Sequence, residues 1–521
     1  MKLNRYITPA AAAALALPYL AQGAIPASGK LENVARNGNK PRNVIFILSD
    51  DHRYDFFGFT GAVPWLQTPS LDALARGGAH LKNAFVTTSL SSPSRASILT
   101  SLYTHEHTVV DNQAPQPAGL VFFPQYLQQA GYKTAFFGKW HMGADDSAPR
   151  PGFDQWEGFR GQGTYYNVML NINGKETHFD PKLYSNDILT DHAKNFIKAN
   201  EKTPFFVYLS FKSVHSPFEP SPRRKDMYKD KPVPNPPSFM IPHYGIPVLP
   251  TVGQGDGGKP LMGREWYGPE RMPDWLKNQR ESWHGVDYLY HGARPYDEDF
   301  RTYCETVTSL DDNIGDLMAF LKSEGLDKST LIIYMGDNGF QWGEHGIIDK
   351  RTFYEASVRV PMLAYCPELI KPGTVVDKMI YNVDIGPTVM DAAGIDKASN
   401  MRGMSFLPLV EGKNVPGWRD KLYYEYYWEY DFPMTPTIFG IRTDRYKYIR
   451  YYGIWDTNEF YDLQTDPYEM NNIIDKPELQ PLIEKMANEL YDWLERTGGM
   501  QIPLKRTVKH RDGDYRNMNV F

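Results

Sequence analysis

Short apolar runs recur along this chain, and each is followed at once by a polar cluster. Residues 43–48 (Asn-Val-Ile-Phe-Ile-Leu), 131–138, 204–211 and 331–335 have this form. A run that is apolar at nearly every position, rather than at alternate ones, suits a strand buried on both faces of a parallel sheet. Between these runs lie stretches with helical spacing: residues 69–78, 122–129 and 299–323. In the last, Val307, Leu310, Ile314, Leu317, Phe320 and Leu321 recur at that spacing, and Gly325 supplies the stop. Residues 360–365 read as a further strand, and 384–390 open another helix. Core strands alternating with helices predict an α/β architecture, a large mixed, mostly parallel sheet between helices.

After about residue 405 the texture changes. Residues 422–428, 440–443, 446–451 and 460–463 read as strands, and a helix follows with Leu479, Ile483, Met486, Leu490 and Trp493 on one face. Strands and then a helix predict a smaller C-terminal α+β subdomain with an antiparallel sheet. The expected division is 25–405 for the larger domain and 406–521 for the smaller. From about 220 to 292 periodicity gives way to Pro, Gly and aromatic residues, among them Trp266, Tyr267, Trp275, Trp283, Tyr288 and Tyr290. That stretch reads as an insertion; aromatics of this kind serve either to bind sugar rings or to anchor a long loop.

The chemistry lies in the polar clusters that close the core runs. The first run ends in Asp50-Asp51, and the second in Lys139-Trp140-His141, where Lys139 and His141 alternate along an extended segment and point the same way. The third is followed by His215-Ser216-Pro217. The fourth ends in Asp337-Asn338-Gly339, with Gly343-Glu344-His345-Gly346 and Asp349-Lys350-Arg351 beyond. Before the second run stands Ser91-Ser92-Pro93-Ser94-Arg95, which reads as a helix start: Ser92 caps it, Pro93 takes the first helical position, and Ser91 and Arg95 come round to one side beside the positive end of the dipole. Each cluster alone has an ordinary explanation as a solvated turn, a capped helix or a surface lysine. Together, at the carboxyl ends of strands where α/β proteins place their sites, they supply acidic oxygens (Asp50, Asp51, Asp337, Asn338), cations (Arg95, Lys139, Lys350), two histidines (His141, His215) and a hydroxyl (Ser91). Oxygen donors without thiolates favour Ca²⁺ or Mg²⁺, and a divalent cation flanked by Lys and Arg suits an oxyanion ester.

Composition narrows the options. A formal charge of −6 and a pI near 6.1 exclude a nucleic-acid binder, so an anionic ligand has to meet a local cluster of cations. The two cysteines, Cys304 and Cys366, make neither a disulfide framework nor a zinc motif. Residues 1–24 carry Lys2 and Arg5, an apolar run through Leu20 and then Ala21-Gln22-Gly23, the form of a secretory signal peptide. No Cys follows it to take a lipid, and no later segment is apolar enough to span a bilayer. The expectation is a periplasmic or otherwise exported protein.

The chain resembles the formylglycine-dependent sulfatases. Their signature of Cys or Ser, any residue, then Pro-Ser-Arg stands here as Ser91 to Arg95, the serine type. The resemblance extends over Asp50-Asp51, Gly138 to His141, His215 to Pro217, Asp337 to Gly339, Gly343 to Gly346, Lys350 and Tyr461 to Pro467, and departs at Ser101, where the family usually has Gly. It implies an alkaline-phosphatase-like domain and a calcium ion held by Asp50, Asp51, Asp337, Asn338 and residue 91, with Mg²⁺ the lesser alternative. It also implies that a sulfatase-maturating enzyme oxidises Ser91 to formylglycine. In the implied mechanism one hydroxyl of the hydrated aldehyde, activated by calcium and Arg95, attacks sulfur while His215 protonates the leaving alcohol. His141 then takes a proton from the other hydroxyl and sulfate leaves, with Lys139 and Lys350 holding its oxygens. Tyr424 to Glu429 and the segment from Gly440 to Tyr448 are similar to the N-acetylglucosamine-6-sulfatase branch, which implies a 6-O-sulfated N-acetylglucosamine in glycosaminoglycan or mucin-type glycans as substrate. Two other readings fit the same residues: a phosphomonoester or phosphonate hydrolase of the same superfamily, and a non-catalytic binder of sulfated glycans in which Ser91 stays unmodified.

Overall fold

Ten strands form one sheet in the computed structural model, which describes residues 30–142, 146–239, 272–279, 282, 284–286, 290, 294–430, 432–453 and 456–503. The signal peptide expected at 1–24, the residues from 504 on, and much of the insertion expected at 220–292, including Trp266, Tyr267, Trp283 and Tyr288, lie outside the described residues. The strands are Val44–Ser49 (β1), Ala79–Leu81 (β2), Lys133–Gly138 (β3), Gln155–Gly158 (β4), Met169–Ile172 (β5), Lys175–His178 (β6), Phe205–Ser210 (β7), Leu331–Gly336 (β8), Met362–Tyr365 (β9) and Thr374–Val376 (β10). They lie in the order β10-β2-β9-β8-β1-β7-β3-β4-β5-β6. The five central strands from β8 to β4 run parallel, so the chain leaves each of them on the same edge.

The unbroken apolar runs have a direct cause. Val44, Phe46 and Leu48 point to one face and join one apolar cluster, whereas Ile45 and Ile47 point to the other and join a second. The second face is covered by helices Ser185–Ala199 and Tyr296–Ser323, which contribute Leu189, Ile197, Leu310, Ile314 and Leu317. The first cluster continues into a four-stranded antiparallel sheet of Lys421–Tyr426 (β11), Thr437–Thr443 (β12), Tyr446–Tyr452 (β13) and Glu459–Asp462 (β14), through Tyr424, Ile438 and Ile449. Helix Gln480–Thr497 lies on that sheet with Ile483, Met486, Leu490 and Trp493 inward, the face its spacing predicts. Cys304 and Cys366 are buried, unpaired thiols. Among the described residues no helix is long and apolar enough to cross a membrane.

Two features depart from the pattern reading. Strands β5 and β6 are a hairpin that extends the sheet, turned by Asn173 (φ 50°) and Gly174 (φ 94°), with Ile172 opposite Lys175. The Asn-Gly pair was its signal, since both turn positions need positive φ. The single strand expected over 360–365 is split. Arg359 and Val360 join Ala84–Phe85 in a small three-stranded sheet, and only β9 enters the large one. Pro361 sits at the break, where a residue without an N–H interrupts no ladder.

The larger domain meets the C-terminal sheet through a buried ion pair as well as apolar contact. His105 Nδ1 lies 2.9 Å from Glu425 Oε2, and the ring is flanked by Tyr103 and Trp493. Burial opposes charge on both groups, but each partner outweighs it: the His105 pKa is raised and that of Glu425 lowered. The pair therefore stabilises the fold above the carboxyl's ordinary 4.5, and its histidine half is fully present below 6.5 and lost as pH rises through the raised value. We expect His105→Gln to destabilise the protein by about 3 kcal/mol near pH 6 and by clearly less near pH 9, measured by denaturant unfolding across pH. A pH-independent difference would show that the pair is not ionised.

Candidate active site at the carboxyl edge of the sheet

Register brings the predicted residues together. Ser49 is level with Gly336, and Leu48 and Gly138 are both level with Ser210, so the segments after β1, β8, β3 and β7 begin at nearly one height. Asp50 and Asp51 follow β1, Asp337 and Asn338 follow β8, Lys139 and His141 follow β3, and His215 follows β7. Gly138 (φ 111°) allows the close approach, because a Cβ there would lie 1.9 Å from the Ser210 carbonyl oxygen. Helix Ser91–Thr100 delivers Ser91, its first residue, and Arg95, one turn further on, to the same place.

That helix begins differently from expectation. Ser91 is its first residue, Leu90 precedes it, and no side chain caps it. Ser92, expected as the cap, instead donates its hydroxyl to the carbonyl of His141, while its own N–H donates to Asn112 Oδ1 at 3.1 Å. Pro93 is the third helical residue, still within the turn whose N–H groups have no helical acceptor.

Ser91 Oγ donates to Asp50 Oδ1 at 3.2 Å and lies 3.5 Å from Asn338 Oδ1. Arg95 donates from Nε to Asp337 Oδ2 at 3.0 Å, and from Nη1 to the Lys139 carbonyl at 2.8 Å and to Ser210 Oγ at 2.7 Å. Its Nη2 lies 2.9 Å from Asp337 Oδ2 and 3.8 Å from Asp50 Oδ1. Lys139 Nζ pairs with Asp50 Oδ2, and Lys350 Nζ donates to both oxygens of Asp51, at 2.5 and 2.7 Å. Asn338 Nδ2 donates to Asp51 Oδ1 at 2.7 Å, and the Asp51 N–H to Asp337 Oδ1 at 3.0 Å. The two lysines, expected to meet an anion, thus rest on the carboxylates. His215 Nδ1 lies 2.5 Å from the Ser216 carbonyl, which can only accept, so the proton is on Nδ1; Nε2 faces Asp51 Oδ2 at 3.7 Å. His141 has φ 58°, which ends the extended segment expected there, and its buried Nδ1 has no hydrogen-bond partner.

Burial raises the carboxyl pKa values, and the cations decide each outcome. Asp50, with Lys139, His215, Arg95 and Lys350 around it, is held well below its ordinary value. Asp51 is relieved mainly by Lys350 and faces Asp50, Asp337 and Asp349, so it is pushed up to about 6. Asp337 is also raised by burial and by Asp50. Burial, with Lys139 next, holds His141 and His215 well below 6.5. Both rings are neutral here.

The donor chemistry fits a hard divalent cation. Ligand atoms of Asp50, Asp51 and His215 all lie within 4.8 Å of one another, and Asn338 and Ser91 add neutral oxygens beside them. Asp337, expected in the same cage, is turned toward Arg95 and the Asp51 amide. Three carboxylates face three cations, so the pocket by itself is electrically balanced. A divalent cation would make it net positive, the sign an oxyanion ester requires.

Pattern reading did not single out Ser210, which anchors Arg95, Asn112, which holds the Ser92 amide, or Lys212. Lys212 is buried beside the site, where burial and then Lys139 push its pKa down to about 8. Its only signal was a charged residue directly after an apolar strand.

The family model described as Sulfatase matches residues 42–395, and that described as N-sulphoglucosamine sulphohydrolase, C-terminal, matches 343–496. The N-acetylglucosamine-6-O-sulfatase of Bacteroides thetaiotaomicron is 33% identical, over 94% of this chain and 90% of that protein. The N-acetylglucosamine-6-sulfatase of Capra hircus is 29% identical, over 92% and 88%. A solved structure described as a complex with its substrate D-glucosamine-2-N,6-O-disulfate superposes with a TM-score of 0.74 at 31% identity, covering 90% of this chain and all of that one.

Arg95 is the hinge of the charge balance. Arg95→Met leaves Asp337 without its buried counter-charge and Ser210 without its donor, and we expect it to cost about 3 kcal/mol in denaturant unfolding. A loss below about 1 kcal/mol would mean that the carboxylates are held by other groups.

Proposed function

The chain belongs to the sulfatase family, and from that premise we propose that it hydrolyses the 6-O-sulfate ester of N-acetylglucosamine in glycosaminoglycan or mucin-type glycans. In this reading Ser91 is oxidised to formylglycine by a maturating enzyme, a calcium ion lies among Asp50, Asp51, Asp337, Asn338 and residue 91, and the signal segment sends the protein to the periplasm. The observation that carries the reading is the convergence of Ser91 with three carboxylates, three cations and two histidines in one pocket. The named relatives support the substrate. The oxygen-rich donor set favours calcium, since Mg²⁺ keeps more of its own waters.

The protein's own groups divide the work by position. Formylglycine, as its hydrate, supplies two hydroxyls on one carbon, one to attack sulfur and one to be deprotonated. Calcium, when bound, supplies Lewis-acid stabilisation of charge on the sulfate oxygens. Lys139 and Lys350, which rest on Asp50 and Asp51, would turn to the sulfate oxygens if a cation took their places on those carboxylates. Arg95, locked by Asp337 and Ser210, keeps its guanidinium beside residue 91 and lowers the cost of negative charge there. His141, neutral and with Nδ1 free of any hydrogen bond, accepts a proton from residue 91. His215 is also neutral as it stands; the incoming sulfate favours its imidazolium, and Nε2, on the side away from the Ser216 carbonyl, then gives its proton to the leaving alkoxide.

Mass spectrometry of the residue 91 peptide from the native host is the direct test. Formylglycine lowers the peptide mass by about two hydrogens relative to serine, and unmodified serine in fully active enzyme would overturn the mechanism. Ser91→Ala should reduce turnover by about 10⁴-fold or more with an unchanged melting temperature. An unfolded variant would instead make the residue structural. Chelation should abolish sulfate release, and added calcium should restore it better than magnesium. Activity indifferent to chelator would remove the metal.

A further inference from the structure

The segment that carries His215 runs from Phe211 to Ser221 without helix or strand, so its backbone carbonyls need donors from elsewhere. Backbone N–H groups meet those of Lys212, Ser213 and Ser221, and side chains meet others. The Tyr165 hydroxyl donates to the His215 carbonyl at 2.8 Å, that of Tyr184 to Glu219 at 3.0 Å and that of Tyr166 to Pro220 at 2.8 Å. The Ser216 carbonyl receives the His215 Nδ1–H and also faces Lys212 Nζ at 3.4 Å. The Lys212 ammonium lies over the Tyr165 ring, 5.1 Å from its centre. Tyr165 therefore touches both ends of the arrangement, with its hydroxyl on the His215 backbone and its ring under the lysine.

Lys212 is nearly fully buried, and among the described residues no carboxylate pairs with it. A buried ammonium in that state is costly, and a methionine of similar length would pack in its place without the charge. We propose that Lys212 is a positioning residue for His215: held by Tyr165, its ammonium fixes the Ser216 carbonyl that orients the imidazole, so that Nε2 points at the leaving oxygen. The inference rests on His215 as the proton donor. It assigns Lys212 no contact with the sulfate.

The test compares kcat for a 6-O-sulfated N-acetylglucosamine, whose alkoxide needs a proton, with kcat for 4-nitrophenyl sulfate, whose phenoxide does not. Lys212→Met should lower kcat about tenfold on the sugar ester and less than about threefold on the aryl ester, with KM unchanged for both. Lys212→Met combined with His215→Ala should lose no more than His215→Ala alone. Lys212→Arg, which keeps a donor to the carbonyl, should recover part of the loss. Equal losses on the two esters, a raised KM on both, or additive losses in the double variant would overturn the inference and make Lys212 a sulfate-binding or merely structural group. His215→Ala alone keeps the two ideas apart: equal losses on both esters would remove His215 from the acid role, whereas selective loss there with none in Lys212→Met would sink only the proposal for Lys212. If Lys212→Met melts well below the wild type, Tyr165→Phe replaces it, removing only the hydroxyl on the His215 carbonyl. It should show the same ester selectivity, and its absence would count against the arrangement.

Discussion

Three carboxylates and three cations, packed out of contact with water, are the constraint on which this molecule turns. Asp50, Asp51 and Asp337 are each compensated, by Lys139, Lys350 and Arg95 respectively, and the removal of any one partner exposes the full desolvation cost of the other. Such a cluster is weak evidence for stability, since an apolar filling of the same volume would serve at least as well. What the cluster offers is balance, with one cation on each carboxylate. Were a cation to take the oxygens of Asp50 and Asp51, Lys139 and Lys350, which now rest on them, would be free to meet an anion.

The backbone is bent to allow this. On an extended strand Asp50 and Asp51 would point to opposite faces; with Asp51 at φ 60° both carboxylates enter one pocket. His141, Asp349 and Arg351 also hold positive φ without being glycine, and all three lie beside Lys139 or Lys350. Such conformations cost of order 1–3 kcal/mol each and survive only where the surroundings over-determine them. Here the parallel strands on one side and the Ser91–Thr100 helix on the other do so, with Glu429 of the C-terminal region bound to Arg351 at 2.8 Å. The C-terminal region thus braces the site through the Glu429–Arg351 pair and through the shared apolar core.

The central strands and the amphipathic helices could be read from pattern because each is specified locally: a doubly buried strand needs apolar residues at every position, and a core-facing helix at every third or fourth. The hairpin over Met169–Ile172 and Lys175–His178 had a clear signal only in Asn173-Gly174, because its strands are short, edge-placed and half polar. The start of the Ser91 helix was misread because Ser92 and Pro93 have the types of a cap and a first residue. Ser92 is claimed instead by the His141 carbonyl, from a segment that pattern reading keeps apart from it.

Residue types and order along the chain sufficed for an α/β sheet, for the chemistry gathered at the strand ends and for the family resemblance, since these depend on local periodicity and on side chains present at set intervals. Which atoms meet was decided only by the tertiary structure. That the lysines rest on Asp50 and Asp51, that His215 has its proton on Nδ1 and that Lys212 is buried beside Tyr165 all follow from strand register and from contacts between residues far apart in the chain. Electrostatics in a water-poor pocket depends on separations of a few ångströms, and a linear pattern carries no such distances.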